Sequence, residues 1–248
     1  MSATTVEVGA ILFAATFVRS AFGFGEALVA VPLLALVMPI TVATPVAALV
    51  SITVAAVVVV QDWQHVQWKS AAGLVLSTLV GIPFGLLLLT RTPEPVVKTI
   101  LGVVIAVFAL QALRGIAWHL ASDATAWLFG LAAGVLGGAY GMNGPPLAVY
   151  GLMRRWSPQK FRATLQGYFL PASTIGMAGY WFVGLWTQTV NHLYVESLPL
   201  VIAAIFLGRV ANRRMTDRRF HAVVYVGLLI VGVILVLQAA TLKPLTIL

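Results

Sequence analysis

Arg19 and Glu26 lie seven residues apart inside a long apolar run near the start of the 248-residue chain. Both side chains are costly in hydrocarbon, so both should face protein or water rather than lipid. A guanidinium presents a fork of donors suited to an anion. A carboxylate beside it can pair with it or carry a proton, which makes Glu26 the candidate for proton coupling. The plainer alternative is a structural ion pair that snorkels from a shallow depth. Between them stands Gly23-Phe24-Gly25, a glycine-rich interruption. A second interruption reads Gly141-Met142-Asn143-Gly144-Pro145-Pro146 and offers the Asn143 amide where the first offers Gly25, with Glu26 next door. Gln166 and Tyr168 follow within another apolar stretch and can donate hydrogen bonds inward. The expected substrate-binding set is therefore Arg19, Gly23, Phe24, Gly25, Glu26, Gly141, Met142, Asn143, Gly144, Gln166 and Tyr168. Gln111 is a weaker candidate, and Gln61, Asp62 and His65 read as interfacial. The chain has no cysteine, and its four histidines have no partner at ligand spacing, so no metal site, cofactor or thiol chemistry is expected.

The elements that must position these residues are transmembrane helices. Apolar residues make up 60% of the chain and charged ones 9%, against about 25% charge in a soluble domain. Eight apolar segments can be drawn, at about 6–38, 42–60, 70–89, 96–113, 124–151, 163–184, 193–211 and 221–240. Most approach the ~20 residues that cross a ~30 Å core. The expectation is an all-α polytopic membrane protein, one transport domain over 1–248. Segments one and five are longer than a crossing needs, and each contains one of the glycine-rich interruptions. Glycine tolerates non-helical backbone and proline supplies no amide, so both should be broken or re-entrant. The interruptions stand 118 residues apart, and glycines further on recur in similar order. Two four-segment repeats are expected, about 6–113 and 124–240. Small residues also recur every fourth position, as Gly73, Ser77, Gly81 and Gly85 and as Gly130, Gly134 and Gly138, which marks closely packed helix faces.

The net charge of +8 sits in short loops, so it reads as orientation in a membrane and not as nucleic-acid binding. If every segment crosses once, the loops holding Arg91, Arg154–Arg155 and Arg213–Arg214 share the cytoplasmic side, and the charges lean this way. If segments one and five are hairpins, each half has three crossings, the repeats are inverted and Arg91 is external. Trp63, Trp68, Trp118, Trp156 and Trp186 stand near segment ends as an aromatic belt.

Several stretches resemble the TauE/SafE sulfite exporter family. GFGEALVAVPLL at 23–34 is similar to its first signature, and GGAYGMNGPPLAVYGL at 137–152 echoes the second. HVQWKSAAGLVLSTLVGIPFGLLL at 65–88 and RRWSPQKFRATLQGYF at 154–169 resemble the landmarks that follow each. The resemblance implies a two-repeat bacterial inner-membrane permease for small anions such as sulfite or organosulfonates. Gly23, Gly25 and Pro32 match the first signature, and Gly141 and Gly144 the second. Glu26 stands where a small residue is more usual, and Asn143 and the double proline also depart from the pattern.

The residues and the resemblance together point to a secondary transporter, in the exporting direction. It would work by alternating access around a site between the repeats, with proton coupling through Glu26 as an option. Broken helices expose N-terminal amides that suit an anion. The expected partners are a small anion and membrane lipid, with a homodimer as an option and no nucleic acid. The rivals are an anion channel and a membrane-embedded enzyme acting on lipid-linked substrate, for which no nucleophile–base pair is evident.

Overall fold

The computed structural model describes residues 3–62, 64, 66–114, 125–154 and 156–214, and near the C-terminal end 226, 229–230, 232–234 and 236–237. Its helices are α1 (Ala3–Phe22), α2 (Glu26–Val37), α3 (Ile40–Asp62), α4 (Trp68–Arg91), α5 (Glu94–Arg114), α6 (Ala126–Tyr140), α7 (Gly144–Met153), α8 (Pro158–Phe182) and α9 (Gln188–Arg214). No strand occurs among the described residues. Four helices contain stretches long and apolar enough to cross a membrane, Ile40–Val60, Ser70–Arg91, Glu94–Gln111 and Gln188–Ala211. Leu76, Val80, Phe84 and Leu87 on α4, and Ile202, Phe206 and Val210 on α9, are exposed. Such apolar stripes are what lipid covers. The apolar segment at 221–240 lies largely outside the described residues, and those described within it are helical.

Both long segments are broken where glycines permit it. α1 ends as the Gly23 amide donates to the Arg19 carbonyl at 2.6 Å. Gly23 (φ 87°) and Gly25 (φ 99°) then take left-handed backbone before α2 begins. α6 ends at Gly141, φ 63°, whose amide donates to the Gly137 carbonyl at 2.8 Å. A β-carbon is disfavoured at such dihedrals, so glycine is required there.

After each break the chain doubles back. Tyr150 near the end of α7 has its ring 5.4 Å from that of Phe129, near the start of α6. Thr5 at the start of α1 shares a surface groove with Met38 and Pro39, just beyond α2. A kinked but continuing helix would hold the first pair about 30 Å apart and Thr5 about 50 Å from Met38, at ~1.5 Å per residue. Segments one and five are therefore hairpins and not continuous helices, which favours the inverted alternative over the eight-crossing topology toward which the loop charges lean. Hydropathy is the same for a long crossing and a hairpin, so only contacts separate them.

Two faces of the bundle follow. The first holds the start of α1, the α2–α3 junction, the α4–α5 junction and the start of α9. There the Ile40 amide donates to Glu94 Oε1 at 3.4 Å, and Thr5, Met38 and Gln188 border one groove. The second holds the α3–α4 junction, the start of α6, the α7–α8 junction and the end of α9. There the Gln67 amide donates to Thr164 Oγ1 at 3.2 Å. The α1–α2 hairpin enters from the first face and the α6–α7 hairpin from the second.

Each hairpin lies against a long helix that runs parallel to its first arm. Gly9 meets Leu200 and Gly208 meets Phe17 and Ser20, which aligns α1 with α9. Gly130 meets Leu74 and Ser77, Gly134 meets Thr78 and Gly81, and Gly138 meets Ile82 and Gly85, which aligns α6 with α4. The two glycine series expected to mark packed faces thus pack on each other. A β-carbon on Gly134 would lie 2.9 Å from the Gly81 Cα, so backbone meets backbone there. α3 and α8 pair through the centre. α8 begins five residues before its apolar segment does. Ser157 caps it by accepting from the Lys160 amide at 3.4 Å, and Pro158 fills the first turn.

Candidate functional site

The hairpin tips bring the N-termini of α2 and α7 together around a small cavity of ≈ 20 Å³, about the room of one water. Arg19, Gly25, Glu26, Ala27, Leu28, Ser51, Gly141, Met142, Asn143, Gly144, Pro145 and Phe169 line it. Arg19 and Glu26 are buried, at 2% exposure each, and form an ion pair through Arg19 Nη1 and Glu26 Oε2. They are the charged residues of the lining. The same Nη1 donates to Ser51 Oγ at 2.7 Å, and Nη2 donates to Gln166 Oε1 at 2.6 Å. The guanidinium carbon stands 4.9 Å from the centroid of the Phe169 ring, a cation–π distance. Two atoms of the ion pair remain without a hydrogen-bond partner, Arg19 Nε and Glu26 Oε1. Buried polar atoms are seldom left so, and one is a donor and the other an acceptor.

The remaining side chains hold this centre in place. Gln166 accepts from Arg19 and donates through Nε2 to the Gly23 carbonyl at 2.8 Å, so one amide fixes both the cation and the break beside it. Ser51 Oγ lies 3.3 Å from Ser173 Oγ, joining α3 to α8 at the centre of the bundle. Asn143 Nδ2 donates to the Tyr168 hydroxyl at 3.3 Å, and that hydroxyl lies 2.5 Å from Thr78 Oγ1 on α4. Tyr140 and Tyr180 donate to the carbonyls of Val97 and Gly137, at 2.9 and 2.6 Å, and anchor both ends of the α6 tip.

Of the expected site residues, Arg19, Gly25, Glu26, Gly141, Met142, Asn143 and Gly144 meet at the cavity. The other four stand behind it. Gly23 contributes its carbonyl to Gln166, and Gln166 and Tyr168 brace Arg19 and Asn143. Phe24 packs edge-on against Phe161 with ring centroids 5.7 Å apart. Gln111 is exposed at the end of α5, beside a different, apolar groove. The backbones of Gln61 and Asp62 close α3, and His65 lies outside the described residues. Sequence reasoning missed Ser51, Phe169 and Ser173. The double proline also makes the two half-helices unequal. The first-turn amides of α2 have no intrahelical partner, whereas Pro145 and Pro146 have no amide to offer. α7 brings its dipole to the cavity with fewer donors.

This arrangement can hold a small anion. It joins a buried guanidinium, hydroxyl and amide groups, and two helix N-termini aimed at one point. Backbone breaks facing each other from opposite sides of a bundle are a transporter's architecture. The comparisons with known proteins agree. The model of the family described as "Sulfite exporter TauE/SafE" matches residues 8–235. A curated protein of Cupriavidus necator, named "Probable sulfite/organosulfonate exporter TauE", is 25% identical over 207 residues, covering 81% of each chain. No solved structure matches the chain significantly. With a match across nearly its full length, and with both signature breaks forming one site, the chain is a multi-pass membrane transporter and belongs to the TauE/SafE sulfite exporter family.

Proposed function

We propose that the protein exports a small anion, sulfite or an organosulfonate, across the bacterial inner membrane by alternating access around the Arg19 site. The observation that carries this reading is the convergence of the α2 and α7 N-termini on a buried arginine. The site lies between two repeats, 6–113 and 124–240. The packing supports them: exchanging α1 with α6, α3 with α8 and α4 with α9 turns the α1–α9 contact into the α6–α4 contact and returns the α3–α8 pair to itself. Hairpins entering from opposite faces make the repeats inverted, and rocking one against the other opens the site to each side in turn. The name of the Cupriavidus necator relative supports sulfite or an organosulfonate as substrate. Glu26 is the group through which a proton would be coupled.

A membrane-embedded enzyme would need a reactive pair. Among the lining residues the hydroxyl of Ser51 meets Arg19 and Ser173, and the carboxylate there, Glu26, is paired with Arg19 and not with that hydroxyl. The test is flux from proteoliposomes loaded with radiolabelled sulfite or an alkanesulfonate. Saturable efflux is expected, with at least a tenfold loss in Arg19→Ala. Efflux that does not saturate would mark a channel. Efflux from Arg19→Ala equal to wild type would remove the site from the pathway.

A further inference from the structure

Among the described residues that line the cavity, Glu26 alone neutralises Arg19 and Arg19 alone neutralises Glu26. The cavity beside them is about the size of one water, too small for a sulfonate while the pair is closed. Three of the five guanidinium N–H groups go to Glu26, Ser51 and Gln166, and the two that remain, on Nη2 and Nε, belong to a charge already paired with Glu26. An incoming anion must therefore displace the Glu26 carboxylate from Arg19. Among the described residues around it, Glu26 has no second cation to move to. α1 and α3 face it with Arg19 and Ser51, the break between α6 and α7 with Asn143, and α8 with Phe169, Tyr168 standing behind Asn143. On α5, Lys98 is engaged by Glu94 at 3.2 Å, near the Ile40 amide and so beyond the other end of α2. On α9, His192 faces Glu196 at 3.4 Å, in the groove beside Met38. A displaced, ionised Glu26 would be an unpaired charge buried beside an anion, which is prohibitive.

We infer that Glu26 is a built-in competitor for the substrate anion, released from Arg19 by taking up a proton, so that each monoanion crosses together with one proton. The inference rests on the anion-transport reading and deepens it. The carboxylate gains a proton on its oxygen and becomes a hydrogen-bond donor. Arg19 passes from the carboxylate to the anion's oxygens. On the opposite side the anion leaves, Glu26 loses the proton to water, and the ion pair closes the empty site. The net charge of the site is zero when empty and zero when loaded. Transport is then electroneutral. The membrane potential, which would shift the distribution of a uniported monoanion about 50-fold per 100 mV, does not act on it.

The experiment uses the full chain in proteoliposomes with a radiolabelled alkanesulfonate, whose strong acidity keeps it ionised at every pH used. Any proton that moves with it has been carried by the protein. A pH-sensitive dye inside the vesicles reports protons, and potassium with valinomycin sets the voltage. Wild type is expected to move one proton per sulfonate in the same direction, and an imposed 100 mV should leave the final distribution unchanged. Glu26→Gln is expected to move sulfonate without protons and to respond to voltage. Wild-type flux that carries no proton and follows the voltage overturns the inference while leaving anion transport standing. Absence of sulfonate and sulfite flux from folded wild-type protein overturns the transport reading, and this inference with it. The wild-type measurement decides even if Glu26→Gln fails to fold.

Discussion

Arg19 organises the centre of the molecule because its guanidinium is a fork with more donors than any one neighbour can accept. Glu26, Ser51 and Gln166 share it, and Phe169 covers its face. An isolated buried charge is far more costly than a paired one. Arg19→Met alone, or Glu26→Leu alone, should therefore destabilise the fold by about 3–5 kcal/mol. The double substitution should lose clearly less than the sum, since it removes both charges and leaves apolar groups in their place. Unfolding in mixed micelles, followed by tryptophan fluorescence, measures all four corners of that cycle. Strict additivity would show that the two residues are not a pair in the membrane. Arg19 and Glu26 were legible in the sequence because a charge within an apolar run demands an explanation. Ser51, Ser173 and Phe169 were not. Serine and phenylalanine are common in such helices, and only the meeting of α3 and α8 gives these a role.

At the scale of elements, the breaks could be read and their consequence could not. Left-handed glycines and a double proline announce the end of a helix, but the direction the chain then takes is fixed by partners far along it. α1 turns back because α9 holds one arm and α3 the other, and in the second hairpin α4 holds α6 while α7 touches α8. Hydropathy windows likewise missed the polar first turn of α8, whose Ser157-Pro158 start was available as a capping signal. The glycine seam between α4 and α6 is what lets the second hairpin lie so close. In Gly134→Val, side-chain atoms would occupy the space of the Thr78 carbonyl and the Gly81 Cα, so the two helices must separate along their length. That substitution should abolish the folded, monodisperse protein. Gly73→Ala is the matched control on the same stripe, because a β-carbon there meets nothing within 4 Å. It should be neutral, or stabilising by up to about 1 kcal/mol from helix propensity. Size-exclusion profiles and thermal midpoints in detergent compare the two. Equal behaviour would mean that α4 and α6 are not packed at their glycines.

For the molecule as a whole, the hairpins change which loops face which side of the membrane. On the face that holds the start of α6 and the end of α9 lie Arg114, Arg154, Lys160 and Arg209, with Asp62 at the end of α3. The opposite face mixes Arg91 and Lys98 with Glu7, Glu94 and Glu196. The basic face should be cytoplasmic. The sequence offered two topologies because both put Arg154 and Lys160 inside, and they part only at links carrying few charges. Eight single crossings place Thr92 on the same side as Lys160 and Gln64 on the other. Two re-entrant hairpins reverse both placements. The chain lacks cysteine, so single cysteines at these positions can be labelled without background. With a membrane-impermeant maleimide on intact cells, Thr92→Cys should react, while Gln64→Cys and Lys160→Cys should react only after permeabilisation. Protection of Thr92→Cys together with labelling of Gln64→Cys would restore eight crossings. It would also remove the inverted relation between the halves, on which alternating access around Arg19 depends. The outcome at these two positions thus tests the architecture without any substrate, and independently of every flux measurement.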